Sequence, residues 1–279
     1  MPKLFLNPNL PDYFITASEV TSAGDARSFV DDYEDAKIIC FPNVNAGVDH
    51  QFWGKVKTGR HSALKKFSID LGVDEEEQRR EHERKLLAQG LDQAMTASLC
   101  DQMEAIYRLI LPIYRAIFAE YSFDRQQVVW RLNTIRAENM HVDTYKKEHK
   151  LHFARMFVNL DNQPRIWQTS WRIEDMLRQA KKRLQPVELE GLSRAEIWSK
   201  LNAAFFGQNS RQFWDDQPRH IAFFDPGDVW VVDSRQVSHQ IFYGRRALSI
   251  DFTVPKEHMK NPKLHYLSWA DRICSGEML

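Results

Sequence analysis

The sequence predicts an α+β fold whose second half is a β-sandwich or jelly roll. Three observations predict it. Apolar residues recur at helical spacing over residues 93–121, in a first half that reads as mainly helical,. From Asp124 onward the pattern changes to short runs of β-branched and aromatic residues separated by turn signals,. Strands and helices nowhere alternate regularly, as a parallel βαβ sheet would require.

The elements follow in order. AKIICFP, residues 36–42, reads as a buried strand closed by a proline,. DEEEQRREHERKLLAQG, 74–90, reads as a solvated helical face held by Glu–Arg pairs,. Residues 93–121 suit one or two packed helices, kinked or divided at Pro112,. QQVVWRLNTIRAENMHVD is strand-like, and KLHFARMFVNL is a second strand ended by the turn DNQP,. A helical insertion near 172–206 follows. Its second piece opens on Ser193 with Glu196 three residues on and stops at Gly207, a capping box with a glycine end,. Strands resume at HIAFF, DPG turns the chain, and DVWVVDS, VSHQIFYG and RRALSIDFTV complete the β-rich part. With no internal repeat and no low-complexity linker, a single domain over 1–279 is expected,. Residues 1–124 serve in it as mainly helical support, 125–254 as the core and 255–279 as a C-terminal segment.

Composition excludes several function classes. The 38 basic residues balance 38 acidic ones, so no overall field draws the chain to nucleic acid,. Hydrophobic residues make up 43%, which is a globular composition,. Cys40, Cys100 and Cys274 are far apart and odd in number, which argues against a disulfide framework and for a cytoplasmic setting,. No signal peptide is evident, and the most apolar helical run, IYRLILPIYRAIF, is too short to span a bilayer,.

The chemistry gathers in NMHVDTYKKEHKLHF, residues 139–153. Side chains two apart on an extended segment point the same way, so His141 and Asp143 can reach one point,. Far downstream, a turn, a strand and a loop deliver His239. Two histidines and one carboxylate on one face of an iron leave three positions open, as a cosubstrate and dioxygen both require. A keto acid chelating through two oxygens leaves a distal carboxylate, which an arginine fork on the following strand would hold.

Together these pieces resemble the Fe(II)/2-oxoglutarate-dependent dioxygenases. The resemblance rests on MHVDTY, PGDVWVVDS, SHQ and GRRALSIDF. It implies a double-stranded β-helix (jelly roll) with flanking helices, iron ligands His141, Asp143 and His239, and Arg246 as the 2-oxoglutarate arginine, with Arg245 as fallback. The arginine comes sooner after the histidine than in many members, and Ser249 lies three residues beyond Arg246 rather than two. More narrowly, the chain's length, FPNV, NMHVDTY, HFARMFVNL followed by PRIWQTSW, and the final motif are similar to the bacterial Kdo (3-deoxy-D-manno-octulosonic acid) hydroxylases. That resemblance implies hydroxylation at carbon 3 of Kdo to give Ko. The substrate would be Kdo-lipid A or another lipopolysaccharide precursor, met peripherally at the cytoplasmic face of the inner membrane.

Other residues have plainer readings. His149 and His152 belong to a polar loop and its edge, where packing or capping explains them. Trp130, Phe153, Trp167, Trp171, Phe213 and Trp230 suit a core, with room for one or two at a sugar pocket,. Arg131, Arg155, Arg165 and Arg172 sit in or beside strands, facing either solvent or the carboxylate or phosphate of a substrate,. Asp228 and Asp233 suit turns as well as catalysis. Three other functions fit a jelly roll with these residues: a 2-oxoglutarate oxygenase of another small molecule or peptide, a Zn²⁺-dependent hydrolase on the same three ligands, and a binder without catalysis.

Overall fold

A computed structural model describes residues 2–17, 20, 26–42, 44–57, 66–72, 74–133, 139–144, 151–180, 182–185, 188–207 and 216–275. His149 and Phe213 lie outside the described residues.

Two sheets face each other. The larger takes β2 (Phe14–Thr16), β3 (Ile38–Phe41), β4 (Phe67–Asp70), β5 (Gln127–Arg131), β6 (Leu151–Asn159), β9 (Val229–Val231) and β11 (Ala247–Pro255) in the order β2-β3-β9-β6-β11-β5-β4. The smaller takes β1 (Lys3–Phe5), β7 (Arg165–Arg172), β8 (His220–Phe224) and β10 (Val237–Tyr243) in the order β1-β8-β7-β10. From β6 onward the chain crosses between the sheets at β6–β7, β8–β9, β9–β10 and β10–β11, which is the winding of a double-stranded β-helix,. The first 124 residues, read as mainly helical, also contribute four short strands: β1 extends the smaller sheet, and β2, β3 and β4 extend the larger one at its two ends.

Alternation along β11 separates the two faces of the larger sheet. Leu248, Ile250, Phe252 and Val254 join the outer core beneath α4 (Gln93–Ile117), with Ile106, Ile110, Ile113 and Tyr114 of that helix,. Ser249 and Asp251 point inward, between the sheets. There a second core stacks Phe157 on Trp230 at 5.5 Å, and Trp230 on Phe224 at 3.9 Å,. A third core, around α5 (Ile173–Ala180), α6 (Arg194–Phe206) and α7 (Tyr266–Cys274), takes in Met140 and Val142.

Helix α4 runs as one helix through Pro112, so of the two expectations there, a kink or a division, the division is overturned. Both Pro112 and Arg108 are exposed, so water satisfies the Arg108 carbonyl that loses its helical partner,. The charged stretch is α3 (Glu75–Leu87), capped by Asp74 and carrying the Glu–Arg pairs. The capping box of α6 is present, with Ser193 and Glu196 each bonded to the other's backbone. Gly244 has a positive φ of 156°, and an added Cβ would come within 2.6 Å of the Arg165 guanidinium, so only glycine fits the corner between β10 and β11,.

Candidate metal centre

His141, Asp143 and His239 offer ligand atoms that all lie within 4.8 Å of one another. Three backbone bonds bring the distant pieces together. His141 and His239 exchange N–H···O bonds of 3.1 and 2.8 Å as an isolated bridge, and the Asp143 N–H bonds Ser234 O at 2.9 Å. Between the two upstream ligands, Val142 turns the other way into the core around α6. Asn202 of α6 grips the Val142 N–H at 2.9 Å and its carbonyl at 3.0 Å, so the inserted helix fixes the H-x-D segment from behind. The extended alternation read in the sequence is thus real, although pairing there is one bridge and not a long strand.

Both imidazoles are set for a metal. His141 Nδ1 lies 2.6 Å from Asn139 O, and His239 Nδ1 lies 3.1 Å from Val237 O. A carbonyl only accepts, so each Nδ1 carries the proton and each Nε2 presents a lone pair. His239 is buried and stacks on Trp167 at 5.3 Å. Burial, followed by the neighbouring His141, pushes its pKa down to about 4, so the ring is neutral at pH 7,. His141 and Asp143 are half-exposed and mark the open side.

Asp143 is held as a carboxylate. Burial raises its pKa, but the Arg155 guanidinium beside it, the largest of the lowering causes, outweighs this and the carboxyl lies well below the usual range,. Arg155 touches both Asp143 Oδ2 and Ser234 Oγ, and Ser234 Oγ donates to Asp143 Oδ2 at 2.6 Å. Two neutral imidazoles and an ionised carboxylate, with one side open, fit a divalent iron.

The expected arginines divide. Arg155 is at the centre. Arg131 is on the inner face of the larger sheet, opposite Ala247. Arg165 is buried across Gly244 at the β10–β11 corner. Arg172 pairs with Asp175 at 3.1 Å, at the outer end of β7. Arg245 and Arg246 do not join the triad. Both bind Asp161, Arg245 through Nε at 2.8 Å and Arg246 through Nη1 at 2.9 Å, and Arg246 also meets the Val56 carbonyl. Val56 belongs to the outer core, so Arg246 is directed into the outer layer. The early position of this arginine after His239 is the sequence trait that goes with that placement.

His152 packs, as expected, and does so within the strand that KLHFARMFVNL predicts and not in the polar loop before it. It is buried on β6, its Nε2 lies 3.2 Å from the Tyr121 hydroxyl, and Asp233 is 3.4 Å from its Nδ1. Asp228 shapes the DPG turn by accepting from the Asp225 N–H at 2.7 Å. The sequence reading left three partners of the site unassigned: Ser234, Asn202 and Lys66. Ser234 closes the PGDVWVVDS stretch with no role assigned to it, Asn202 and Lys66 sit in no recognisable motif, and only the fold brings them near the ligands.

Five buried histidines share a consequence for stability, His220 among them, whose pKa burial also lowers. His82, His152 and His239 are pushed down to about 4, and His265 to about 3, chiefly by burial. His82 shows why, since its Nδ1 donates to Gln78 O at 2.8 Å while its Nε2 accepts from Trp130 at 2.9 Å. Each folded pKa lies below the unfolded value, so between them the unfolded chain takes up protons that the folded one refuses. The metal-free protein therefore loses stability as pH falls from about 6.5 to 4, by up to ~1.4 kcal/mol per pH unit per histidine. Burial raises the Glu34 pKa and opposes this in part. Urea midpoints at pH 7.5, 6 and 5 should fall in that order.

An oxygenase of the non-haem iron class, dependent on a keto acid, is what two imidazoles and a carboxylate on a double-stranded β-helix define. A family model described as 3-deoxy-D-manno-oct-2-ulosonic acid (Kdo) hydroxylase matches residues 17–275. The chain belongs to that family. Solved structures of the Kdo hydroxylase KdoO, described as a non-heme Fe(II) alphaketoglutarate dependent dioxygenase, share the fold. Its complex with succinate and Fe(III) has a TM-score of 0.55 at 15% identity, covering 94% of this chain and 96% of that one. Its apo structure has a TM-score of 0.54 at 15% identity, covering 95% and 97%. No curated protein matches the chain.

Proposed function

We propose that His141, Asp143 and His239 hold Fe(II), and that the chain uses 2-oxoglutarate and dioxygen to hydroxylate carbon 3 of Kdo, giving Ko. The observation that carries this is the pair of Nδ1–H···O=C bonds, which aims both Nε2 lone pairs at the point Asp143 faces. Bound iron supplies the oxidation: dioxygen is reduced, 2-oxoglutarate loses carbon dioxide to become succinate, and one oxygen atom enters a C–H bond of the sugar.

The chain's own residues prepare that reaction. Arg155 keeps Asp143 ionised, and Ser234 fixes which carboxylate oxygen is occupied. Trp167 covers one face of His239 and keeps water from it,. The half-exposed side of His141 and Asp143 admits the sugar and the keto acid. Kdo-lipid A is the substrate this reading favours. Among the described residues no helix is long and apolar enough to cross a membrane, so such a lipid would be met at the bilayer surface.

Anaerobic titration of metal-free protein with Fe(II) and then 2-oxoglutarate tests the cosubstrate. A visible charge-transfer band should appear, and its absence with iron bound would remove 2-oxoglutarate from the reading. Incubation with Kdo-lipid A should add one oxygen by mass. Turnover without dioxygen or keto acid would point instead to a Zn²⁺-dependent hydrolase.

A further inference from the structure

We propose that Lys66 and Arg131 form a two-point carboxylate clamp at the rim of the barrel, on the inner face of the sheet that carries Arg155. The clamp rests on the iron and 2-oxoglutarate reading above.

Register places the two cations side by side. β4 pairs with β5 in antiparallel fashion, with Phe67 opposite Trp130. Both rings belong to the outer core, so the next positions, Lys66 and Arg131, face inward,. β11 confirms the side: Arg131 stands opposite Ala247, and two and four residues further along that strand are Ser249 and Asp251, the latter opposite Arg155.

The other arginines of this region have carboxylates: Arg155 has Asp143, and Arg245 and Arg246 share Asp161. Lys66 and Arg131 have no ion pair among the described residues, and Arg131 Nε is buried without a hydrogen-bond partner. Lys66 is exposed at the rim, and its pKa is lowered first by the neighbouring Arg131, while Asp251 and Asp143 pull it the other way. Adjacent cations aimed into a reaction chamber are stabilised by an anion that comes from outside.

Position narrows the anion. Arg131 and Arg155 lie at levels four residues apart along β11, about 13 Å of strand. A group held at Lys66 and Arg131 is therefore offset from Asp143 and does not compete for the metal. Carboxylate is the shared chemistry of the two molecules that enter the site. The distal carboxylate carbon of 2-oxoglutarate lies three bonds from its chelating keto carbon, and the carboxylate carbon of Kdo lies two bonds from carbon 3. Either would be gripped from two directions, by a planar fork and a point charge.

The test uses the full chain, with Lys66→Met and Arg131→Met singly and together. The dissociation constant of 2-oxoglutarate is read from its absorption band with Fe(II), and the KM of Kdo-lipid A from oxygen incorporation at saturating keto acid. One of the two constants should rise about tenfold or more in each single variant, with the double variant less than multiplicative because one anion is shared. Lys66→Arg should stay within about threefold, since it keeps the charge. A rise in the 2-oxoglutarate constant identifies the cosubstrate as the occupant, and a rise in the KM identifies the sugar. Unmoved constants in variants that melt normally would overturn the clamp while leaving the iron reading intact. An absent band in the unaltered protein would overturn that reading, and the clamp with it.

Discussion

Alanine at His239 is expected to abolish hydroxylation and iron retention while leaving the chain folded. The ring sits at the start of β10, buried and stacked on Trp167, with its Nδ1 proton on Val237 O. Its only unengaged donor is Nε2, which faces Asp143 and His141. Without it two ligands remain, and those are too few to hold a divalent ion against solvent. Turnover should fall by about a thousandfold or more, and iron should titrate to well below one per chain. Truncating a buried ring leaves a cavity, so the metal-free variant should also lose roughly 2–4 kcal/mol. The bridge between His141 and His239 is made of backbone bonds, which alanine preserves. Far-ultraviolet circular dichroism should therefore be unchanged. His141→Ala should behave alike in activity with a smaller stability loss, because that ring is half-exposed. A His239→Ala protein that still bound iron and turned over would dissolve the triad.

The triad was readable in the sequence because its logic is local twice over. H-x-D places two side chains on one side of an extended segment, and P-G-D followed by a strand delivers a histidine to a predictable end. The helices were readable for the same reason: α3 and α6 announce their starts through Asp74 and Ser193,. What failed to show was every relation that depends on which strand lies beside which. Lys66 lies in a polar run just before a four-residue strand, and no periodic signal reaches across that distance. It gains meaning only when β4 settles against β5, some sixty residues later.

The arginines illustrate the limit more sharply. Alternation with Phe153 and Phe157 gave Arg155 a definite side of β6, but not whether that side was the barrel interior. The structure places it inward because Ala154, Met156 and Val158 fill the outer core. For Arg246, its place two residues after Gly244 in the final motif implied the cosubstrate, while its early position after His239 was the departure; in the fold both arginines meet Asp161. Asp161 belongs to the DNQP turn, which a sequence reading uses as punctuation, not as a charge partner. The polar residues before His152 suggest the edge of a loop. Its own strand register, with Val254 opposite, buries it.

Arg155→Met should separate what this arginine does for the metal from what it does for the fold. Its guanidinium touches Asp143 and Ser234, and its Nε lies 3.5 Å from Asp251 Oδ1. Methionine fills much of the volume but leaves Asp251 buried beside no cation, which should cost about 3–5 kcal/mol in an unfolding titration. Asp143 keeps only the 2.6 Å hydrogen bond from Ser234 and the two imidazoles. Its pKa should climb, because the first cause that lowers it is gone. In the unaltered protein the depressed pKa stabilises the fold above the unfolded value near 3.8 and is lost as pH falls through the folded value,. In the variant that loss should begin at higher pH. Iron affinity should fall about 10- to 100-fold, as for other partners that orient a ligand, and excess Fe(II) should restore part of the turnover. A purely structural arginine would lower the melting point and leave iron affinity alone. A rise in the KM for Kdo-lipid A at unchanged iron affinity would instead assign the guanidinium to the sugar. Arg155→Lys adds the decisive contrast: a point charge can serve Asp143 or Asp251 but cannot span both, so it should recover either the metal or the stability, and not the two together.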